Sequence, residues 1–133
     1  MLSQTAEYAL RAVLFIAAQP PDNAVRVDHI ARELKLPASY LSKTLQVLVR
    51  DGVLRSIRGR TGGFMLAAPP ARLPLARVVA PFDPVVERRH CLLGRPVCSD
   101  RAPCDAHAAW KPTAERIAKF FRETTVADIT CPR

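Results

Sequence analysis

The chain has no uninterrupted apolar run approaching the roughly 18 residues of a membrane span, so no spanning helix and no membrane partner are expected. It has no low-complexity tract, and 49% hydrophobic with 24% charged residues is the composition of a folded domain. Acidic residues are sparse: 12 Asp and Glu against 20 Lys and Arg leave a net charge of +8, a balance that favours polyanionic partners. No export signal is expected either. The apolar run Ala12 to Ala18 has no basic segment ahead of it, and Glu7 and Arg11 interrupt its approach, so it reads as a core helix. Four cysteines without such a signal point to a reducing compartment, the cytoplasm, where thiols more often hold metal than form disulfides. Two disulfides, in any of three pairings, are the alternative. There is no Cys-x-x-Cys for thiol redox catalysis, no paired carboxylates and no Ser–His constellation. An enzyme is therefore not expected.

What is present is helical periodicity broken by proline. Tyr8, Ala9, Ala12, Val13, Phe15, Ile16 and Ala17 predict an amphipathic helix over 4–18, ended by Pro20-Pro21-Asp22-Asn23. A second helix is expected from Val27 to Lys35, with Ile30, Ala31 and Leu34 inward and Asp28 near its positive end. After Pro37 a third helix should run from Ala38 to Arg50, burying Leu41, Leu45, Leu48 and Val49 and stopping at Asp51-Gly52. Two β-prone runs follow, 53–57 and 64–67, with Gly59, Gly62 and Gly63 between them. This glycine loop neither follows a buried strand nor opens a helix, which weakens a nucleotide-cradle reading. Helix, tight turn, helix and hairpin together describe a winged helix-turn-helix.

Prolines 69, 70, 74, 81 and 84 mark a connector, with a short helix from Leu75 to Ala80 and Pro74 at its first position. A last long helix should reach Thr124, with Trp110, Ala114, Ile117 and Phe121 on one face. Pro112 should lie beside its start or in its first turn. Val126 and Ile129 form a final apolar patch.

Between connector and last helix, Cys91, Cys98, Cys104 and His107 fall within seventeen residues. Thiolates and a neutral imidazole are the soft and borderline donors that hold iron–sulfur clusters or zinc. The spacings lack the two-residue knuckles of zinc ribbons. In the helix-turn-helix, Ser39, Tyr40, Ser42 and Lys43 open the helix that should enter the major groove. Their hydroxyls and ammonium suit bases or phosphate. Tyr40 is alternatively a half-buried aromatic. Arg58, Gly59 and Arg60 occupy the wing tip, where glycine permits close approach and arginine suits a narrow minor groove.

Glu7-Tyr8-Ala9-Leu10-Arg11, Ser39-Tyr40-Leu41, Val53-Leu54, Arg58-Gly59, Gly62-Gly63-Phe64 and the cysteine loop through His107 to Trp110 carry a resemblance over nearly the whole chain. The sequence resembles the IscR/NsrR family of bacterial iron–sulfur winged-helix regulators, the Rrf2 family. The resemblance implies a mainly α fold with a small β-hairpin wing and a long C-terminal dimerisation helix. The corresponding divisions are 1–68 for DNA binding, 69–89 for the connector, 90–107 for the metal loop and 108–133 for the dimer helix and tail. It implies a homodimeric repressor that reads a palindromic DNA operator and senses redox state, nitric oxide or iron–sulfur status through a 2Fe–2S or 4Fe–4S cluster. Cys91, Cys98 and Cys104 would be ligands. The fourth would be His107, as in IscR-like members, or Glu7 of the first helix donated by the partner subunit, as in some NsrR-like members. Six residues separate Cys91 from Cys98, one more than is usual in IscR. His90 is a further candidate ligand, and Cys131, with no counterpart in the motif, reads as a free thiol. The alternative is a winged-helix regulator with structural zinc or no metal, acting through thiol chemistry or a protein partner.

Overall fold

Alanines set the closeness of the central packing. In the computed structural model, which describes residues 2–84, 91–96 and 98–130, helix α1 (Gln4–Ala17) turns Ala6, Ala9 and Ala12 fully inward beside Val13, Phe15 and Ile16. Small side chains at this spacing let α1 pack directly against α2 (Val27–Leu34) and α3 (Ala38–Arg50). Ser3 starts α1: its Oγ accepts from the Ala6 amide at 3.1 Å and donates to the Phe82 carbonyl at 3.0 Å. Helix α3 buries Leu41, Leu45 and Leu48 completely, each contributing about 1.5–3 kcal/mol of transfer free energy.

The turn between α2 and α3 uses Lys35 in the left-handed region, φ 57°, rather than a glycine. Such a turn leaves carbonyls of α2 without helical partners. Arg11 of α1 supplies one, its Nη2 donating to the Leu34 carbonyl at 3.1 Å, and the Leu36 amide reaches the Ala31 carbonyl at 2.9 Å.

Strands β1 (Leu54–Ile57) and β2 (Gly63–Leu66) pair antiparallel, Leu54 opposite Leu66 and Ile57 opposite Gly63. A third rung was not expected from the sequence. Val25 and Phe64 exchange amide–carbonyl bonds of 2.8 Å each way, fastening the wing to the segment that leads into α2. Gly63 permits this approach: at φ 144°, a Cβ there would lie 2.4 Å from the Val25 carbonyl carbon and oxygen. Gly63→Ala is expected to cost at least about 1–3 kcal/mol from the backbone conformation alone. A thermal melt should show the midpoint several degrees lower. An unchanged midpoint would mean that the wing does not need this docking.

After a 3₁₀ turn at Pro70–Arg72, α4 (Leu75–Val79) buries Leu75, Val78 and Val79 against α1. Pro74 is its N-cap, one position before the expected place. Helix α5 (His107–Glu123) packs on α4 through a face of Ala114, Ala118 and Phe121, with Trp110 and Ile117 half-buried. The sequence placed Pro112 beside the start of this helix or in its first turn. The structure instead carries the helix through it, five residues past His107. The missing amide leaves the Ala108 carbonyl without its helical donor, but both residues are exposed and water can replace the bond. Thr125 and Asp128 form a capping box that starts the short α6 (Val126–Ile129). Bonds of 2.9 Å from the Leu75 amide to the Thr124 carbonyl and 2.8 Å from the Val126 amide to the Leu73 carbonyl tie this end of the chain to α4. His90 and Cys131 lie outside the described residues. Among the described residues, no helix is long and apolar enough to cross a membrane.

Candidate metal centre and nucleic-acid interface

The loop ahead of α5 brings three sulfurs together. The Sγ atoms of Cys91, Cys98 and Cys104 all lie within 4.8 Å of one another, the first two cysteines buried and the third half-buried. The Cys91 and Cys104 sulfurs are 3.7 Å apart, and none of the three cysteines is in a disulfide. His107, first residue of α5, places Nδ1 3.2 Å from the Cys98 sulfur. Its other nitrogen, Nε2, lies 2.9 Å from Oδ1 of Asp100. Lys111, one turn further along α5, donates to both oxygens of the same carboxylate at 2.9 Å.

Thiol acidity differs among these cysteines. The backbone N–H of Arg95 does most to lower the Cys91 thiol, from 9.0 to about 7. Burial opposes that shift, and the Leu93 amide and the neighbouring thiols assist it. For Cys98 the Cys104 amide pulls downward, but burial and the sulfurs of Cys104 and Cys91 together hold it above its ordinary value. The hydrogen bond from His107, then Lys111, keeps Asp100 below the usual carboxylate range. The pocket therefore gathers Cys91, its thiol acidity raised, beside two further soft sulfur donors and an imidazole next to Cys98. This donor set fits an iron–sulfur cluster or a single zinc ion. A tetrahedral centre with 2.3 Å metal–sulfur bonds has sulfur–sulfur edges of about 3.8 Å, close to the Cys91–Cys104 separation.

Glu7 is exposed in the first turn of α1. The residues singled out for DNA lie on two elements. On α3, Ser39 and Lys43 are exposed and Ser42 is half-buried, on the side away from Leu41 and Leu45. Tyr40 is 38% exposed but held by α1, its hydroxyl hydrogen-bonded to Thr5 Oγ1 and its ring edge-on to Tyr8 with centroids 5.8 Å apart. Its alternative reading as a partly buried aromatic thus has a structural basis. At the wing, Arg58, Gly59, Arg60 and Thr61 are all exposed. The turn closes by a 3.0 Å bond from the Gly62 amide to the Gly59 carbonyl, with Gly59 at φ 104°.

Sequence reading missed Asp100 and Lys111. The His107–Lys111 spacing of one helical turn was a usable signal, whereas nothing in the sequence showed that Asp100 folds back onto both.

A family model described as Rrf2, iron-dependent transcriptional regulator, matches residues 2–132. A chain from Aquifex aeolicus is 34% identical over 131 residues, 97% of this chain and 90% of that one. The HTH-type transcriptional regulator IscR of Yersinia pestis is 27% identical over 128 residues, 96% of this chain and 77% of its own length. Among solved structures, CymR, the global cysteine regulator of B. subtilis, superposes with TM-score 0.77 at 22% identity, covering 98% of this chain and 95% of that one. The T. potens IscR structure gives TM-score 0.76 at 21% identity, covering 97% and 85%. At these identities the structural likeness establishes the winged-helix fold.

Proposed function

Because this chain belongs to the Rrf2 family of transcriptional regulators, we propose that it controls transcription as a homodimer whose grip on a palindromic operator depends on an iron–sulfur cluster. Cys91, Cys98, Cys104 and His107 would hold the cluster. It is a regulator and not an enzyme. The observation that carries the reading is the convergence of three sulfurs ahead of α5, with the His107 Nδ1 3.2 Å from one of them, that of Cys98. His107 is favoured over Glu7 as fourth donor because its Nδ1 already lies beside Cys98. When bound, the cluster would supply iron and sulfide open to attack by oxidants or nitric oxide.

The residues of the chain supply a route from that pocket to DNA. His107 starts α5, α5 packs on α4, and α4 packs on α1. The first turn of α1 carries Thr5, whose side chain holds Tyr40 of the recognition helix. Phe120, 51% exposed on α5, suits a helix that meets its copy in a dimer. Half-sites must be presented about 34–36 Å apart, so a small rotation of α5 pairs would change docking.

A single zinc ion is the second reading, favoured by the tetrahedral sulfur–sulfur edge. Anaerobic protein separates the two: brown with iron and sulfide for a cluster, colourless with stoichiometric zinc for the alternative. The sensor function is tested by measuring operator affinity of anaerobic cluster-loaded and metal-free protein on the same DNA, recovered by selection. A difference of about 5–150-fold is expected for ordinary allosteric coupling. Equal affinities would overturn the sensor.

A further inference from the structure

We propose that Asp100 is a positioning residue, which fixes the tautomer of His107 so that Nδ1 is the nitrogen offered to the metal. The proposal rests on the reading of His107 as a ligand. A neutral imidazole has one N–H and one lone pair, and an ionised carboxylate only accepts. With Asp100 Oδ1 2.9 Å from Nε2, the proton belongs on Nε2, and the Nδ1 lone pair is left facing the Cys98 sulfur at 3.2 Å. Asp100 is itself held in place. Lys111 binds both its oxygens at 2.9 Å, and Lys111 and His107 sit one turn apart on α5. The carboxylate thus bridges two side chains of one helix face, and the ring cannot turn over without breaking the bridge.

Stability does not account for this arrangement. The Asp100 side chain is 69% exposed, and exposed ion pairs contribute at most about 1 kcal/mol. Metal-binding histidines commonly give their second N–H to a carboxylate, and removal of that partner typically costs about 10–100-fold in metal affinity.

The test uses the full chain in two states. In metal-free protein with ¹⁵N-labelled histidine, at about pH 8 where imidazole is ordinarily neutral, two-bond nitrogen–proton correlations report which ring nitrogen carries the proton. His107 should be the Nε2–H tautomer in the wild type and in Asp100→Asn, whose carbonyl still accepts, and a mixture in Asp100→Ala. Cobalt(II) titration without air should then show about 10–100-fold weaker binding for Asp100→Ala, with much of the loss recovered in Asp100→Asn. A wild-type Nδ1–H tautomer, or an Asp100→Ala variant with unchanged tautomer and cobalt affinity, overturns the proposal. His107→Ala separates the two levels. If it leaves cobalt binding and spectrum unchanged, the ligand assignment falls and this inference falls with it. If it weakens binding while Asp100→Ala does not, only the role of Asp100 is lost.

Discussion

Cys98→Ala protein prepared without air is expected to come out with neither the visible absorption nor the iron and sulfide of the wild type. The size of this effect follows from how few donors there are. Cys98 is buried, belongs to the sulfur triad, and is the cysteine beside His107. Structural zinc sites with four protein ligands bind with apparent energies of about 10–16 kcal/mol at about pH 7. That energy depends on every position being filled by a suitable donor, and alanine supplies none. The fold should survive. The main hydrophobic core joins α1, α2, α3, α4, the wing and the ends of α5 and α6, and neither Cys91 nor Cys98 belongs to it. The variant should therefore melt close to metal-free wild type and still bind DNA as metal-free wild type does. Undiminished absorption in this variant would reject Cys98 as a ligand.

The elements that were legible in the sequence are those whose evidence is local. Alternation of apolar residues at 3.6 spacing marked α1, α2 and α3 to within a residue of Gln4–Ala17, Val27–Leu34 and Ala38–Arg50, because proline or glycine follows each of them. The hairpin was legible from its glycines. The docking of that hairpin on Val25 was not, since a single bridged residue between a turn and a helix has no period to detect. Pro112 misled in a physical way: the local rule against proline inside a helix is overridden where the orphaned carbonyl is solvated and Ala114, Ala118 and Phe121 anchor the helix beyond it. The capping box of Thr125 and Asp128 was readable, yet a four-residue helix carries too little pattern to announce itself.

At the candidate site the split is similar. Spacing of Cys91, Cys98, Cys104 and His107 indicated a metal loop, because donor chemistry is written in residue type. Sulfur distances and the Asp100–His107–Lys111 bridge depend on how the loop folds back, which no periodicity encodes. Tyr40 shows the same limit on the DNA side. Its position in the recognition helix suggested contact with bases, while its hydroxyl bond to Thr5 joins residues 35 apart in sequence and makes it part of the link between α1 and α3.

Operator affinity is expected to fall roughly 10³–10⁵-fold between about 50 and 200 mM salt, if the dimer makes about 6–10 phosphate contacts. The supply of cations is sufficient. Each chain carries a net charge of +8, and Lys43 on α3 with Arg55, Arg58 and Arg60 on the wing are exposed. Each neutralised phosphate releases condensed counterion and adds about 0.9 to the slope of log affinity against log salt. Arg58→Ala removes one cation from each of two wings, so the slope should flatten by up to about 1.8 if both arginines meet phosphate. Arg58 is exposed on a turn whose backbone bond is made by Gly59 and Gly62, so its truncation should leave the wing folded. The sequence dependence of the loss then separates two roles. A phosphate contact weakens binding equally on all DNA, whereas an arginine placed in a narrow minor groove loses most on A·T-rich flanks. A salt slope near zero in the wild type would remove the wing's electrostatic role altogether, because a polyanion held without counterion release is not held by these side chains.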